Sequence, residues 1–125
     1  MGKFVIKQAK NGPMFNLKAG NGEVIATSEI YTTRASCLNG IKSVKTNAPI
    51  AAVEDQTVEN FEKKTCPKFE LYQDKAGKFR FRLKAKNGQI IAVSEAYNAK
   101  NTCENGIESV RKNSTGDITD EKKDD

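Results

Sequence analysis

The chain contains neither histidine nor tryptophan among its 125 residues. The absence of histidine excludes Ser-His and Cys-His nucleophile pairs, and it removes the commonest protein ligand of transition metals. The three cysteines, Cys37, Cys66 and Cys103, form no Cys-x-x-Cys motif. We therefore expect no cofactor and no metal. We interpret the cysteines as reduced thiols of a cytoplasmic protein, with Cys37 and Cys103 in its core.

Long hydrophobic runs are missing as well. Hydrophobic residues make up 37% of the chain and charged residues 30%, and no segment approaches the roughly 18 apolar residues that span a membrane. The first ten residues, MGKFVIKQAK, show neither the apolar region nor the cleavage site of an export signal. Ile6 also stands where a myristoylation motif requires serine or threonine. We expect a protein that has no membrane partner.

The positive charge of the chain is unevenly distributed. The formal net charge is +5, although the last nine residues, 117–125, hold five acidic and only two basic residues. The body of the chain is therefore more basic than the whole. A basic body with an acidic tail is typical of proteins that bind polyanions, and it also occurs in ordinary proteins that lysine keeps in solution.

One long segment occurs twice. Residues 84–113, KAKNGQIIAVSEAYNAKNTCENGIESVRKN, repeat residues 18–47, KAGNGEVIATSEIYTTRASCLNGIKSVKTN, with roughly half of the positions identical. The chain is thus a tandem duplication. We place the first repeat at 1–55, a connector at 56–68, the second repeat at 69–119 and a disordered acidic tail at 120–125. Because one repeat is too small to bury a sufficient core, we expect both repeats to form one domain.

Each repeat begins with three predicted strands. In KFRFRLKA, residues 78–85, apolar side chains alternate with lysine and arginine, which is the period of a strand with one buried face. The Asn-Gly pairs that follow the second strand of each repeat predict type I′ hairpin turns. That turn type sets an expected register in which Leu17 opposes Ala26 and Ala19 opposes Val24. The second repeat should show the equivalent pairs.

A helix and a fourth strand complete each repeat. The apolar residues of the helix recur at i, i+4 and i+7, and they are Cys37, Ile41 and Val44 in the first repeat and Cys103, Ile107 and Val110 in the second. Thr33 and Asn98 are the expected N-caps. Gly40 and Gly106 lie in the apolar stripe, so we expect a close approach to the sheet or to the twin helix that offsets the cost of glycine in a helix. Each repeat is therefore a β-β-β-α-β unit of an α+β fold.

Two sequence patterns carry a resemblance to a known family. They are A-x-N-G-x-x-I-A-x-S-E-x-Y, at residues 19–31 and 85–97, and N-G-I-x-S-V-[KR]-x-N, at residues 39–47 and 105–113. On these patterns the chain resembles the YegP-like family, which comprises small, mostly bacterial proteins of uncharacterised function. The resemblance implies a single antiparallel sheet built from both repeats, with the C-terminal strand of each repeat exchanged into the other and two helices on one face. It implies no activity, cofactor or catalytic residue.

The motif Ser-Glu-x-Tyr, at residues 28–31 and 94–97, lies where the third strand of each repeat leads into the helix. In a structural interpretation, the serine and glutamate side chains accept backbone amides at this junction while the tyrosine packs across the helix start. In a functional interpretation, two related pairs, Glu29 with Tyr31 and Glu95 with Tyr97, line a cleft that contacts a ligand. The sequence favours the structural interpretation.

The outward face of the strand at 78–85 is a second candidate site. Lys78, Arg80, Arg82 and Lys84 form a cationic row, and Tyr72 is expected to border it. Cations with an interleaved aromatic ring are a common means of holding single-stranded nucleic acid. A solvated strand face is the simpler interpretation of the same pattern.

These features predict a small cytoplasmic structural or interaction module without catalysis. We expect a monomer, with a weak homodimer as the alternative. Binding of single-stranded nucleic acid or another polyanion through the basic sheet face is the second interpretation. An enzyme that uses the paired glutamates and tyrosines ranks last, because nothing in the sequence supplies a nucleophile or a metal beside them.

Overall fold

The computed structural model describes residues 2–121 of the chain. Its elements, in chain order, are β1 (Lys3–Ala9), β2 (Gly12–Lys18), β3 (Val24–Thr27), α1 (Arg34–Asn47), β4 (Ala52–Asp55), β5 (Lys68–Gln73), β6 (Phe79–Lys84), β7 (Ile90–Val93), α2 (Lys100–Asn113) and β8 (Asp117–Asp120). This order gives two consecutive β-β-β-α-β units, as the repeat predicts. Within the described range, neither helix has the length and apolar composition that crossing a membrane requires.

All eight strands belong to one sheet, in the order β4-β5-β6-β7-β3-β2-β1-β8. The predicted exchange is confirmed, because β4 of the first repeat pairs with β5 of the second and β8 pairs with β1. Both exchanged strands run parallel to their neighbours, so the sheet is mixed instead of fully antiparallel. Alternation of side chains specifies the faces of a strand and not its direction, so the sequence pattern did not reveal these two parallel pairs.

Strand β8 extends further than the predicted second repeat. Asp120, which the sequence analysis assigned to a disordered tail, is the last residue of this strand. The backbone amide of Glu121 still donates to the carbonyl oxygen of Ile6 at 2.8 Å. The rest of the predicted tail, residues 122–125, lies outside the described residues. The connector is irregular up to Pro67, and β5 begins at Lys68.

One hydrophobic core lies between the sheet and the two helices. The helices bury their predicted stripes together with Gly40, Asn47, Gly106 and Asn113. The largest buried residues that the sheet contributes are Phe4, Phe15, Leu17, Phe69, Leu71, Phe81 and Leu83, each at most 1% exposed. All of these hydrophobic side chains belong to a single cluster. Both helices therefore lie on the same face of the sheet, and the two repeats share their core.

The register of the hairpins follows the prediction only in part. Leu17 opposes Ala26 as predicted, and the equivalent pair of the second repeat is also present. Beyond this pair the register shifts by one residue, so Val24 is opposite Lys18 instead of Ala19. The second repeat shows the same shift. The prediction was wrong at this point because it assumed a hairpin without a bulge.

The turns of these hairpins explain the shift. In the described residues, Gly22 and Gly88 have positive φ values of 87° and 86°, whereas Asn21 and Asn87 do not. A type I′ turn needs positive φ at both central residues, so that prediction was wrong. The observed arrangement is a type I turn followed by a left-handed glycine, which leaves one extra residue on one strand. Each asparagine instead accepts the amide two residues further along the chain.

The two helices begin differently. Thr33 caps α1 as predicted, because its side-chain oxygen accepts the backbone amide of Ser36 at 3.0 Å. The N-cap of α2 is Ala99, which has no side-chain cap, so the prediction of Asn98 was wrong. The side chain of Asn98 instead accepts a hydrogen bond from Lys78.

Each exchanged strand is held by the helix that lies beside it. Arg34, the first residue of α1, pairs with Asp120 of β8 at 2.8 Å. Lys45, in the last turn of α1, donates to the carbonyl oxygen of Gly116 at 2.9 Å. The equivalent contacts of α2 join Lys100 with Asp55, and Arg111 with the carbonyl oxygen of Ala51. Basic side chains near both ends of each helix therefore bind the exchanged strand of the other repeat, one through an ion pair and one through a backbone carbonyl oxygen.

Candidate functional site

The two repeats meet in the sheet through β3 and β7. Within these described strands, a single residue pair, Thr27 with Val93, forms the ladder between them. Beyond this pair the two strands separate into the Ser-Glu-x-Tyr segments, residues 28–31 and 94–97, each of which stays bonded to its own repeat. The amide of Tyr31 donates to the carbonyl oxygen of Pro13 at 2.7 Å, and Tyr97 forms a β-bridge with Phe79. Because the pairing is antiparallel, the segment that follows each strand runs along the beginning of the other strand. We call this junction the seam. At the seam, the motif of one repeat faces a hairpin of the other.

The serine of each motif serves the fold. The hydroxyl oxygen of Ser28 accepts the backbone amide of Phe15 at 2.9 Å, and the hydroxyl donates to the carbonyl oxygen of Glu29 at 2.7 Å. Ser94 makes the same two bonds in the second repeat. Both serines are buried. Their hydroxyls therefore extend the ladder of the sheet beyond the end of the strand, as the structural interpretation requires.

The tyrosine of each motif also serves the fold. The ring of Tyr31 stacks on Phe15, with 6.4 Å between the centroids and 13° between the planes. Its phenol oxygen lies against Gly40, and Tyr97 lies in the same way against Gly106. The atoms nearest to each glycine belong to this tyrosine and to a phenylalanine of the sheet, Phe15 beside Gly40 and Phe81 beside Gly106. The predicted approach to the sheet is therefore present, and the twin helix is not among these nearest neighbours. Burial raises the pKa of both phenols, so they remain protonated donors at neutral pH.

The glutamate of each motif behaves differently. Glu29 and Glu95 are exposed, and among residues 2–121 only their backbone carbonyl oxygens take part in hydrogen bonds. The capping bonds that the structural interpretation assigned to these side chains are therefore absent from the described structure. In each motif, the serine and the tyrosine therefore stabilise the junction, whereas the side chain of the glutamate makes no hydrogen bond within the described residues.

A cleft of about 370 Å³ opens at one end of the seam, and we call it the Tyr31 cleft. The first repeat contributes Glu29 and Tyr31 to its lining. The second repeat contributes Lys84 and the hairpin residues 88–91. Of the motif residues, this cleft brings together the predicted pair of Glu29 and Tyr31, and it adds Lys84 from the predicted cationic row.

A second cleft of about 210 Å³, the Tyr97 cleft, lies at the other end of the seam. Its lining includes Tyr97 and residues of α2 on one side, and Asn21, Glu23 and Ile25 of the first repeat on the other. The pKa of Tyr97 is raised, mainly by burial. The nearby Cys103 and the carboxylates of Glu95 and Glu23 add smaller contributions. The repeat places Gln89 of the Tyr31 cleft at the position of Glu23. The two clefts share the motif tyrosine and part of the opposing hairpin, but α2 also lines the Tyr97 cleft, whereas Glu95 does not belong to its lining. The predicted pair of Glu95 and Tyr97 is therefore not brought together in one cleft as Glu29 and Tyr31 are.

The cationic row on β6 is largely neutralised by acidic residues. Arg80 pairs with Asp74 at 2.7 Å. Arg82 and Lys84 both pair with Glu70 of β5, at 2.5 and 3.2 Å. Glu70 is only 3% exposed. The alternation within β6 alone does not reveal these acids, although the register of β5 against β6 places Glu70 opposite Arg82. The sequence of β6 alone therefore overestimates the positive charge of this sheet face, because it omits the acidic residues that pair with the cations.

The aromatic ring beside this row already has a partner. The guanidinium carbon of Arg82 lies 4.6 Å from the centroid of the Tyr72 ring, which is a cation–π contact. The sheet next to it is also ionic, because Lys68 bridges Glu54 and Glu70 at 2.8 and 3.2 Å. The predicted contact residues Tyr72, Arg80, Arg82 and Lys84 are thus brought together, but mainly by contacts with one another and with acids.

Two of the three thiols of the described chain are withdrawn from solvent, whereas Cys66 is partly exposed. Cys37, Cys66 and Cys103 are free thiols, and the first and last of them are buried. Burial raises the pKa of Cys103 to about 11 and also raises that of Cys37. Among residues 2–121, no three acidic or cysteine side chains are grouped so that they could hold a metal ion.

Comparison with known proteins places similar chains in several bacteria. The family described as "Domain of unknown function (DUF1508)" matches residues 9–55 and 74–121. The chain is 47% identical over 114 residues to the UPF0339 protein YegP of Yersinia pestis, covering 90% of this chain and 88% of that protein.

Two solved structures share the fold. The solution NMR structure of YegP from E. coli, a protein of unknown function, has a TM-score of 0.80 and 36% identity, covering 99% of this chain and 96% of that chain. The solution NMR structure of the UPF0339 protein SO3888 from Shewanella oneidensis has a TM-score of 0.78 and 38% identity, covering 95% and 90%. The similarity extends over both repeats.

Proposed function

Because the chain belongs to the DUF1508 family, whose function is unknown, we propose a function from the seam itself. The protein is a small binding module without catalysis, and its ligand surfaces are the Tyr31 cleft and the Tyr97 cleft. The observation that carries this proposal concerns Glu29 and Glu95. These carboxylates occur at equivalent positions of both repeats, are exposed at the seam, and contribute no side-chain bond to the described fold.

The duplication provides an internal comparison that supports this assignment. Ser28, Tyr31 and Gly40 recur in the second repeat, and each has a structural reason to recur. Glu29 also recurs, as Glu95, but no contact of its side chain within the described fold explains why. A polar side chain that local structure does not explain is a candidate for contact with a molecule outside the chain. The shape of the seam supports the same inference, since clefts between packed units are common ligand sites.

Binding without catalysis is supported by the state of the nucleophilic side chains. The hydroxyl of Ser28 is occupied by two backbone groups, and no histidine exists to activate it. Burial keeps the thiols of Cys37 and Cys103 protonated. We also propose that the protein acts in the cytoplasm, because three free thiols suit a reducing compartment.

The proposal is tested by two-dimensional amide NMR spectra of isotope-labelled protein. Individual amino acids, amines, carboxylates, sugars and nucleosides are added in turn. We expect at least one class to shift the amides of residues 88–91 or 21–25, and we expect Glu29→Gln or Glu95→Gln to weaken that response. Glu59→Gln, an exposed change in the connector, is the control. The proposal is overturned when no class shifts either group of amides, or when the shifts persist unchanged in both cleft variants.

A further inference from the structure

Two opposite charges line the Tyr31 cleft. The carboxylate of Glu29 has no side-chain partner among the described residues, and Lys84 reaches the same cavity from β6. Charged groups of both signs in one small cavity complement a ligand that carries both signs, because each ligand charge then meets a charge-assisted partner. The first requirement is that Lys84 is available.

The ion pairs around Lys84 leave one positive charge in excess. Its ammonium group lies 3.2 Å from Glu70, but Glu70 also accepts Arg82 and Lys68, and Lys68 is shared with Glu54. This cluster contains three cations and two carboxylates. Lys84 is the member that also lines the Tyr31 cleft. The unbalanced positive charge of the cluster therefore faces the cleft.

The remaining lining of the cleft is apolar or neutral. Ile90 and Ile91 supply its apolar lining, Ile91 being only 7% exposed, and Tyr31 also lines the cleft. The volume of about 370 Å³ lies within the range of small-molecule sites. Resting on the proposed function of the seam, we propose that the Tyr31 cleft binds a small zwitterion of the α-amino acid class with an apolar side chain. The ligand ammonium group faces Glu29 and the ligand carboxylate faces Lys84.

The Tyr97 cleft provides a built-in contrast. Glu23 stands there in place of Gln89, and no lysine belongs to its lining in the described chain. Glu95 adds a second carboxylate near the phenol of Tyr97. A ligand carboxylate is repelled by these two groups and has no cation to offset them. The zwitterion should therefore occupy one cleft of the two.

The test uses three matched compounds with one side chain. L-leucine carries both charges, isoamylamine lacks the carboxylate, and isocaproate lacks the ammonium group. We expect L-leucine to shift the amides of residues 88–91 and to leave those of residues 21–25 in place. Removal of either charged group should weaken binding at least about tenfold, as expected for the loss of one charge-assisted contact.

Variants assign each charge to its partner. Glu29→Gln should weaken L-leucine about tenfold and leave isocaproate unchanged, whereas Lys84→Met should weaken L-leucine and leave isoamylamine unchanged. Glu59→Gln, in the exposed connector, and Lys18→Met, at the equivalent position of the other repeat, are the controls. Because Lys84→Met also removes an ion pair, an amide spectrum of the free variant confirms its fold.

Three outcomes overturn the proposal: no response to L-leucine, equal binding of the three compounds, or a response at residues 21–25 instead. If L-leucine fails while another class of compound shifts residues 88–91, the ligand class is wrong and the proposed function stands. If no compound shifts either cleft, both are wrong.

Discussion

The phenol oxygen of Tyr31 occupies the space into which a β-carbon at position 40 would project, so any residue other than glycine would displace the Tyr31 ring. The same relationship joins Tyr97 with Gly106, where an added β-carbon would lie 2.7 Å from the phenol oxygen. The tyrosine of each motif and the glycine of the following helix therefore form one packing unit. This unit explains why both repeats tolerate glycine inside a helix, where it costs about 1 kcal/mol relative to alanine.

Alanine at either glycine should destabilise the protein. At position 40 the added β-carbon would also lie 2.7 Å from the ring carbon Cζ of Tyr31, whereas the ring carbon at position 106 is 3.1 Å away. We expect Gly40→Ala to lower the free energy of unfolding by about 2 kcal/mol and Gly106→Ala to lower it by less. Urea unfolding measures both. Tyr97→Phe should recover part of the loss caused by Gly106→Ala. A gain in stability from either alanine would contradict the packing unit.

Removing the hydroxyl of Ser28 should leave the buried amide of Phe15 without an acceptor. We expect Ser28→Ala to lower the free energy of unfolding by about 1–3 kcal/mol, and Ser94→Ala to act similarly. Thr115→Ala, an exposed change, should stay within about 0.5 kcal/mol. The assigned role of the serines is wrong if both serine variants are as stable as this control.

Acid should weaken the fold through Glu54. Burial alone would raise its pKa, but hydrogen bonds from Lys68, Gln56 and the amide of Lys64 lower it from 4.5 to about 2. A carboxylate with a depressed pKa stabilises the folded state above the unfolded pKa, and that contribution is lost as the pH falls to the folded value. The loss lies between pH 4.5 and about 2 and is on the order of 3 kcal/mol.

The measurement for Glu54 is a series of urea unfolding curves at falling pH. Glu54→Gln cannot titrate, so the stability of this variant should decline less steeply than that of the parent over this range. Glu59→Gln, in the exposed connector, should follow the parent. Parallel curves for the parent and Glu54→Gln would show that Glu54 is not the source of the acid sensitivity.

The basic face of β6 should not bind nucleic acid at physiological salt. Arg80 and Arg82 are held by Asp74 and Glu70, so a phosphate would have to displace a protein carboxylate. Fluorescence anisotropy of labelled oligothymidine should therefore show no binding by the parent. The alternative function would be supported by binding whose slope of log affinity against log salt falls by about 1 to 2 in Arg80→Gln/Arg82→Gln.

Features set by local periodicity could be predicted from the sequence. The buried face of β6 follows from alternation, and the cap at Thr33 follows from its position before the helical stripe. Leu17 opposes Ala26 as predicted, although the turn type from which this pairing was inferred is different. The strand exchange was implied by the family resemblance. The shift at Val24 was not predictable from the Asn-Gly pair, since the same dipeptide suits both a type I′ turn and a type I turn with a left-handed glycine.

The site was less predictable because it depends on contacts between distant segments. The sequence places Glu29 at a junction with unpaired amides, and a carboxylate there could turn to the helix or to solvent. In the structure, β3 and β7 pair only through Thr27 and Val93, and the cleft lies where the two strands separate beyond this pair. The sequence does not show how short this pairing is. Glu70 shows the opposite case. It could have been placed beside Arg82 by continuing the register of the β5–β6 hairpin.

The most direct test of the account is the free energy of unfolding of Glu29→Ala/Glu95→Ala, because alanine removes every side-chain acceptor at these positions. The central claim is that these two carboxylates are not used by the fold and remain available to a ligand. The account predicts that the double variant unfolds in urea within about 0.5 kcal/mol of the parent, as exposed substitutions usually do. If the carboxylates instead cap the junctions, each replacement should cost about 1 kcal/mol, and a combined loss of about 2 kcal/mol would contradict the account.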